Sequence, residues 1–488
     1  MFFRKHKRVF REGSYLPIFF FLFFVVTVLN LNTFDNAWTF DDLGLVVNNP
    51  DVLSLKNFFK NSYPGRPIRE LSYMLDYKLF GFKPTWFHIQ QVLWHALNGC
   101  LLYLLFVRIG LTKWASLAGV LLFLVHPIQV ESVASIGHRK ELLPLFFALV
   151  SLVLYLKAAL LNGVKQWGLY VLCVLTMVVA YLSNPTVGPF PILILLFDKF
   201  FQVESEQALG RYEKVVFLGG VAFALFGFLL VFNPQDFQQN LGIIYSQNIA
   251  SSSPSYLGLI LGCLSAIAHN AWHIIWPTQL SLLYAIPFYD TPWHASVLTG
   301  VAIVFVFLIA MVLCWQRNRK ISFALAWIVL MYLPISNFYP LAYLLSDRYL
   351  YLVMPGVALL VASMLDCYSL DTHAGKAVLV FTVIILTACF FLAFEQNDVW
   401  QNDVTLYIQA TRVNPESADA QHMLGYSFLE AGKPSLAKVH LKEAIRLNPF
   451  LVSVYKSLAD AERQLGNIAA AQEYFRKHVR YSQLKGGL

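Results

Sequence analysis

Long apolar runs alternate with short basic or polar interruptions from residue 15 to about residue 394. Apolar runs of about 18 residues match the hydrocarbon thickness of a bilayer, and the breaks between them mark its surfaces. The first run, Tyr15 to Leu31, follows Arg4, Lys5, Lys7, Arg8 and Arg11. No small-residue cleavage site follows it, so the expectation is an uncleaved anchor with a cytoplasmic N-terminus. The chain then forms an outer loop over 33–87. Runs near 86–109, 114–127, 142–156, 167–183, 186–201 and 215–232 alternate in direction. Arg108, Lys113, Lys157, Lys165 and Lys199 punctuate one side, and His126-Pro127 and Asn184-Pro185 the other. Parity breaks at 256–276 and 295–315, since two crossings would put Arg317, Arg319 and Lys320 outside. The first of these carries His269, Asn270 and His273 and is followed by Pro277, Pro287 and Pro292. It reads as a helix that does not fully cross, or that lines a cavity. Runs near 321–338, 349–365 and 377–394 complete about 11 crossings, with the N-terminus inside and the C-terminus outside.

After residue 395 the pattern becomes charged, polar and helical in period, and it repeats. Asn414-Pro415 recurs at Asn448-Pro449, Gly432 at Gly466, and Ala437 at Ala471. Leu424-Gly425 matches Leu458-Ala459, and Ala410 with Arg412 matches Ala444 with Arg446. A period of about 34 residues is that of the tetratricopeptide repeat, two antiparallel helices per unit. Small residues let the paired helices approach, and the proline opens each new unit. The fold class is therefore all-α: a polytopic membrane domain over 1–395, then a short tetratricopeptide solenoid over 396–488. A leading helix (402–414) and two full repeats fall below the usual three-repeat minimum, so the solenoid is expected to lean on the membrane domain.

Composition agrees: 58% of residues are hydrophobic and 13% charged, against about 25% charged in a soluble domain. The net charge of +8 sits largely in basic clusters flanking apolar runs, where membrane topology explains it, and does not point to nucleic acid. The six cysteines lie in or beside apolar segments, without disulfide or zinc spacing. Asn184-Pro185-Thr186 is barred from glycosylation by its proline, and no usable sequon occurs. That tilts the expected location towards a bacterial inner membrane and periplasm, with the endoplasmic reticulum as the alternative.

The candidate chemistry lies on the side expected to be non-cytoplasmic. Trp38-Thr39-Phe40-Asp41-Asp42 sets two adjacent acids in an aromatic context. Asn48-Asn49-Pro50, Arg66-Pro67, Arg69 and Phe87-His88 follow in the same loop. His126 to Glu131 and His138-Arg139-Lys140-Glu141 form a second cluster at the end of a span, where ionisable groups are costly and suggest a site. Its structural alternative is a cap in which Glu131, Arg139 and Glu141 pair with each other. Ser346-Asp347-Arg348-Tyr349-Leu350-Tyr351 is a third cluster, readable equally as an Asp347–Arg348 pair with interfacial aromatics. Trp276-Pro277 with Leu280 to Tyr284 is weaker, and His88 and His95 are as readily packing residues as ligands. An acid in the first outer loop with basic groups nearby suits sugar transfer from a lipid phosphate. The acid would act as general base on an acceptor hydroxyl while arginines and histidines offset charge on the leaving phosphate. Adjacent acids can hold Mg²⁺, but Asp-x-Asp spacing is absent and no ion is expected to be required.

These motifs together resemble the transmembrane and tetratricopeptide-repeat O-mannosyltransferases and their bacterial relatives, within the polytopic GT-C-type glycosyltransferases that use lipid-linked sugars. The resemblance rests on Phe40-Asp41-Asp42 with Asn48, Arg66-Pro67, Leu79-Phe80-Gly81, Phe87-His88, His126-Pro127 with Glu131, and Arg139 with Glu141. It continues through Leu333-Pro334, Ser336-Asn337 and Asp347-Arg348-Tyr349-Leu350-Tyr351 to the repeats. It implies an inverting enzyme moving a sugar, mannose by the family's pattern, from a polyprenyl-phosphate donor to hydroxyls of a protein held by the repeats. Asp41 or Asp42 would be the base, and Arg66, His88, His126, Glu131, Arg139, Glu141 and Arg348 would surround the donor. One position departs from the pattern: Asn184 stands where relatives commonly carry a lysine. The alternatives are a catalytically silent, membrane-anchored repeat scaffold, or a lipid-linked oligosaccharide ligase or flippase.

Overall fold

The structure is a computed structural model that describes residues 15–61, 66–161, 163–201, 256–284, 289, 291–315, 317–337, 341 and 343–486. Among the described residues it is helical throughout, without a strand. The chain divides into two compact units. The first takes in the described residues up to 201, then 302–337 and 347–397; the second takes in 256–301, 341–346 and 398–486.

The first unit is built around the Pro84–Arg108 helix, which packs against Leu16–Leu29, Lys113–Val125 and Arg139–Ala158. Two polar side chains on its buried face, His95 and Asn98, bond within the bundle. His95 Nδ1 lies 2.9 Å from Tyr351 Oη and Nε2 lies 3.1 Å from the Leu124 carbonyl, while Asn98 donates to Tyr351 Oη at 3.0 Å. Tyr351, expected in a headgroup belt, is instead a fully buried tie between segments. Gly99 permits the crossing with Lys113–Val125, since a Cβ there would come within 2.7 Å of Leu124 Cδ1.

The expected count of about 11 crossings is not supported. Among the described residues six helices are long and apolar enough to span a membrane, or seven if one bent pair counts as a single span. That pair, Lys113–Val125 and Pro127–Ala134, turns by 49°. Pro127 forces the preceding His126 out of helical geometry, and its Nδ1 caps the new turn by accepting from the Ile128 amide at 3.2 Å. Leu16–Leu29 and Arg319–Tyr332 have 14 residues each, and Met354–Leu365 has 12. At 1.5 Å per residue these reach about 21 Å or less, short of a hydrocarbon core of about 30 Å. The run near 215–232 lies outside the described residues. Tyr256–Ile275, expected not to cross fully or to line a cavity, is one continuous 20-residue helix whose Leu257–Ile275 portion is long and apolar enough for a span. The histidines and asparagine do not break it, because helix geometry satisfies its backbone and Asn270 and His273 are buried.

The second unit joins that helix to the repeats. Leu259, Ala266, Leu344 and Leu345 form its membrane-side core, with Cys263 and Tyr284 packed against them. The leading repeat helix, Asp403–Val413, starts with a capping box from Asn402 and Thr405. Ala418–Glu430 with Pro434–Leu447, and Val452–Gln464 with Ile468–Gly486, are the two repeats. Gly425 lets the first pair close, as a Cβ there would sit 2.7 Å from Leu441 Cγ. Gly432 and Gly466 adopt φ of +69° and +82° in the tight turns, which explains their recurrence. Gln409 donates to the Leu280 carbonyl at 3.3 Å and Asn414 to the Leu283 carbonyl at 2.5 Å, so the 280–284 segment caps the solenoid's open first face.

Candidate active site

The first loop is folded back on the bundle. Val46, Val52, Tyr73, Phe87 and Ile136 make a buried cluster, edged by Trp38, Leu45, Tyr77 and Phe82. The Pro67–Phe80 helix contributes Tyr73, whose hydroxyl donates to the Ile136 carbonyl at 2.7 Å. Alternating apolar residues in this stretch therefore serve a small core beneath the acids, a role invisible to a search for spans.

Phe40 adopts φ of +54°, a left-handed conformation unfavourable for a bulky residue. That turn sends the two acids to different environments. Asp41 is exposed, whereas Asp42 is fully buried. A solvated loop carrying both acids is therefore incorrect for Asp42. The Asp42 carboxylate accepts from the Gly137 amide at 2.6 Å, the Thr39 amide at 3.2 Å and the Ser135 hydroxyl at 3.5 Å. Burial raises its pKa from 3.8 to about 7 even though the amides pull the other way. The chain then runs through a π-helical turn, Leu43–Val47, closed by the Asn48 amide on the Leu43 carbonyl at 2.8 Å. Such turns recur where a helix is re-aimed at a functional site.

Gly137 belongs to the short Ile136–His138 turn that opens the Arg139–Ala158 helix. This joins the first loop to the second cluster. Arg139 is fully buried: Nε donates to Gln91 at 2.9 Å, one terminal nitrogen bridges Asp76 at 2.5 Å and Ser72 at 3.3 Å, and the other donates to the Phe87 carbonyl at 3.3 Å. Its guanidinium also lies 4.8 Å from the Tyr73 ring centre. Arg139 thus locks the first loop to the bundle, and its partner is Asp76 rather than Glu131 or Glu141. Glu131 instead pairs with Arg348, through the guanidinium and through the Arg348 amide at 3.0 Å. Arg348 thus joins two distant segments by an ion pair with Glu131 that the Asp347–Arg348 alternative did not include. His138 Nδ1 lies 3.0 Å from the Glu131 carbonyl, and its ring lies 6.2 Å from that of Phe40. Glu141 accepts from Asn184 at 3.2 Å.

The three motifs, Phe40-Asp41-Asp42, 126–141 and 347–351, therefore converge in one unit. His126 serves as a turn cap, and His88 is buried beside the Asn36–Ala37 backbone. Arg66 is half-buried at the start of the Pro67–Phe80 helix, within electrostatic reach of Glu70, Lys140 and Glu141. The 276–284 segment lies in the second unit, against the repeats. Asp76 and Gln91, which hold Arg139, were not singled out by sequence reasoning, whereas Lys140 and Asn184 were noted there, one within the second cluster and one as a departure from the family pattern. Gln91 had a signal, as a polar residue inside an apolar run; Asp76 had none, since its partner lies 63 positions away.

Residues 418–450 match the tetratricopeptide repeat family model. Over 92% of its length the chain is 24% identical to protein O-mannosyl-transferase TMTC3 of Mus musculus, covering 53% of that protein. It is likewise 24% identical over 85% of its length to protein O-mannosyl-transferase TMTC4 of Mus musculus, covering 64% of it. A shorter match, 28% over 37% of the chain, is to protein O-mannosyl-transferase Tmtc1 of Drosophila melanogaster. The chain spans little more than half the length of the TMTC3 proteins it matches. The resemblance read from its motifs thus rests on homology along almost the whole chain.

Proposed function

We propose that the protein is an integral-membrane glycosyltransferase that moves a sugar, mannose in the first instance, from a polyprenyl-phosphate donor to hydroxyl groups of a protein acceptor. The observation that carries this reading is the convergence of Asp41-Asp42, the Gly137 turn and the Glu131–Arg348 pair from three distant segments. Homology to proteins named O-mannosyl-transferases supplies the reaction class. The positions of the basic residues along the chain support an N-terminus in the cytoplasm and a site on the opposite face.

The two acids divide the work. Asp41, open to solvent, is the general base; Asp42, enclosed by amide donors, sets the turn that presents it. The acceptor oxygen attacks the sugar's anomeric carbon from the face opposite the phosphate while Asp41 takes its proton. The bond from that carbon to the phosphate oxygen breaks, and its electron pair leaves with the polyprenyl phosphate. Inversion follows from this single displacement. Arg348, held by Glu131, and Arg66 flank the phosphate. No metal step is invoked, because both Asp42 oxygens already face N–H donors, an arrangement suited to hydrogen bonding rather than to a cation.

The test is transfer of radiolabelled mannose from polyprenyl-phosphate mannose to an envelope protein in vesicles. Wild-type protein is expected to be active in the presence of a chelator and Asp41→Asn inactive. Wild-type activity in Asp41→Asn would remove the base assignment. Absence of any transfer, with the donor bound intact, would favour the silent scaffold.

A further inference from the structure

The Arg139–Ala158 helix opens with three consecutive ionisable residues. Arg139 is committed to Asp76, and Glu141 to Asn184. Lys140, between them, is partly exposed and has no hydrogen bond or ion pair among the described residues. Its charged neighbours are Arg66, Arg348 and Arg69 against Glu141. Arg348 is already neutralised by Glu131, and Arg69 by Glu70 at 2.6 Å. Glu141 is then the acid that faces both Lys140 and Arg66, so one positive charge is left over between these two partly exposed side chains. Thr186 lies in the turn begun by Asn184, and its buried hydroxyl has no partner among the described residues. An ammonium carries three donors that rotate freely, a point charge suited to phosphate oxygens in several geometries.

We propose that Lys140 contacts the phosphate of the lipid-linked sugar between Arg66 and Arg348, with Glu141, itself held by Asn184, positioning it. This rests on the reading of the protein as a polyprenyl-phosphate-dependent transferase. The donor phosphate is a diester with one negative charge. When the sugar leaves, the polyprenyl phosphate retains the electron pair and becomes a monoester approaching two. An ammonium at that place gains interaction as the reaction proceeds, so it favours the transition state and the product over the bound donor. The arginines held by acids fix their segments in place, while the lysine answers the charge that develops.

The experiment uses the full chain in lipid nanodiscs and compares wild type, Lys140→Gln and Lys140→Arg. Binding of polyprenyl phosphate and of polyprenyl-phosphate mannose is measured directly, alongside kcat and KM for transfer. Lys140→Gln is expected to weaken polyprenyl-phosphate binding about ten-fold or more, the loss of a charged hydrogen bond. It should weaken donor binding much less and lower kcat more than it raises KM. Lys140→Arg should restore much of both, and an unchanged melting temperature for each variant separates the effect from misfolding. Wild-type affinity for polyprenyl phosphate and wild-type kcat in a folded Lys140→Gln protein would overturn the role of Lys140 while leaving the transferase reading intact. A wild-type protein that binds neither lipid would overturn both.

Discussion

Adjacent aspartates rarely share a role, and here burial decides which does what. Asp42 has a folded pKa of about 7 against 3.8 in water, so the fold holds it protonated over a range where the unfolded chain is ionised. A raised acid stabilises the fold fully below its unfolded pKa and loses that contribution as pH climbs through the folded value. A shift of this size corresponds to roughly 4 kcal/mol at most, lost progressively from about pH 4 to above pH 7. The detergent-solubilised protein is expected to melt at lower temperature as pH rises from about 5 to 8. Asp42→Asn, which cannot ionise, should flatten that dependence; an unchanged slope in the variant would place the titrating group elsewhere. Asp41→Asn should behave oppositely. Asp41 is exposed, so its loss leaves stability within about 0.5 kcal/mol, while removal of a general base costs about a hundred-fold or more in turnover. Melting curves and initial rates on the same preparations separate the two.

At the scale of elements, the site depends on short turns more than on long helices. The Ile136–His138 turn delivers the amide that holds Asp42, and Gly137 is tight against it: a Cβ would meet Leu45 Cδ1 at 3.0 Å and Asp42 Oδ1 at 3.1 Å, so the Asp42 side would have to shift. Gly137→Ala is expected to displace the Phe40-Asp41-Asp42 turn, costing about 1–3 kcal/mol of stability and lowering transfer at constant donor affinity. Wild-type rates in a folded Gly137→Ala protein would mean the turn tolerates movement and does not set Asp41. These relations explain what sequence reading could reach. The 34-residue recurrence was legible because Gly432 and Gly466 each mark a left-handed turn and Gly425 a close helix crossing, local demands met by local residue types. The burial of Asp42 was not, since its donor lies 95 positions away. Nor was the crossing count, because an apolar run of 12 or 14 residues reads as a span until its helix length is known. Arg139 and Arg348 were singled out by type and place, but their partners, Asp76 and Glu131, required the tertiary fold.

At the scale of the whole molecule, a unit carrying the candidate site and a unit carrying repeats in one chain pose the question of what the repeats bind. Tetratricopeptide surfaces hold extended or helical segments of other proteins along stacked helix faces. This solenoid displays exposed apolar side chains, Tyr426, Leu436, Val439, Phe450, Ile468 and Phe475 among them. The leading helix is tied through Gln409 and Asn414 to the 280–284 segment, so removing it would disturb more than the binding surface. A cleaner deletion keeps Asp403–Val413 and removes the two repeats, 418–486. If the repeats hold the acceptor, they raise the local concentration of its hydroxyls, and a tethered site commonly gains 10²–10⁴-fold. Transfer to a folded protein acceptor at low concentration is then expected to fall by about a hundred-fold or more. Transfer to a short hydroxyl-bearing peptide at high concentration, which needs no capture, should persist near the wild-type rate. Equal loss of both activities, with a lowered melting temperature, would make the repeats a folding element of the enzyme and leave acceptor choice to the membrane unit.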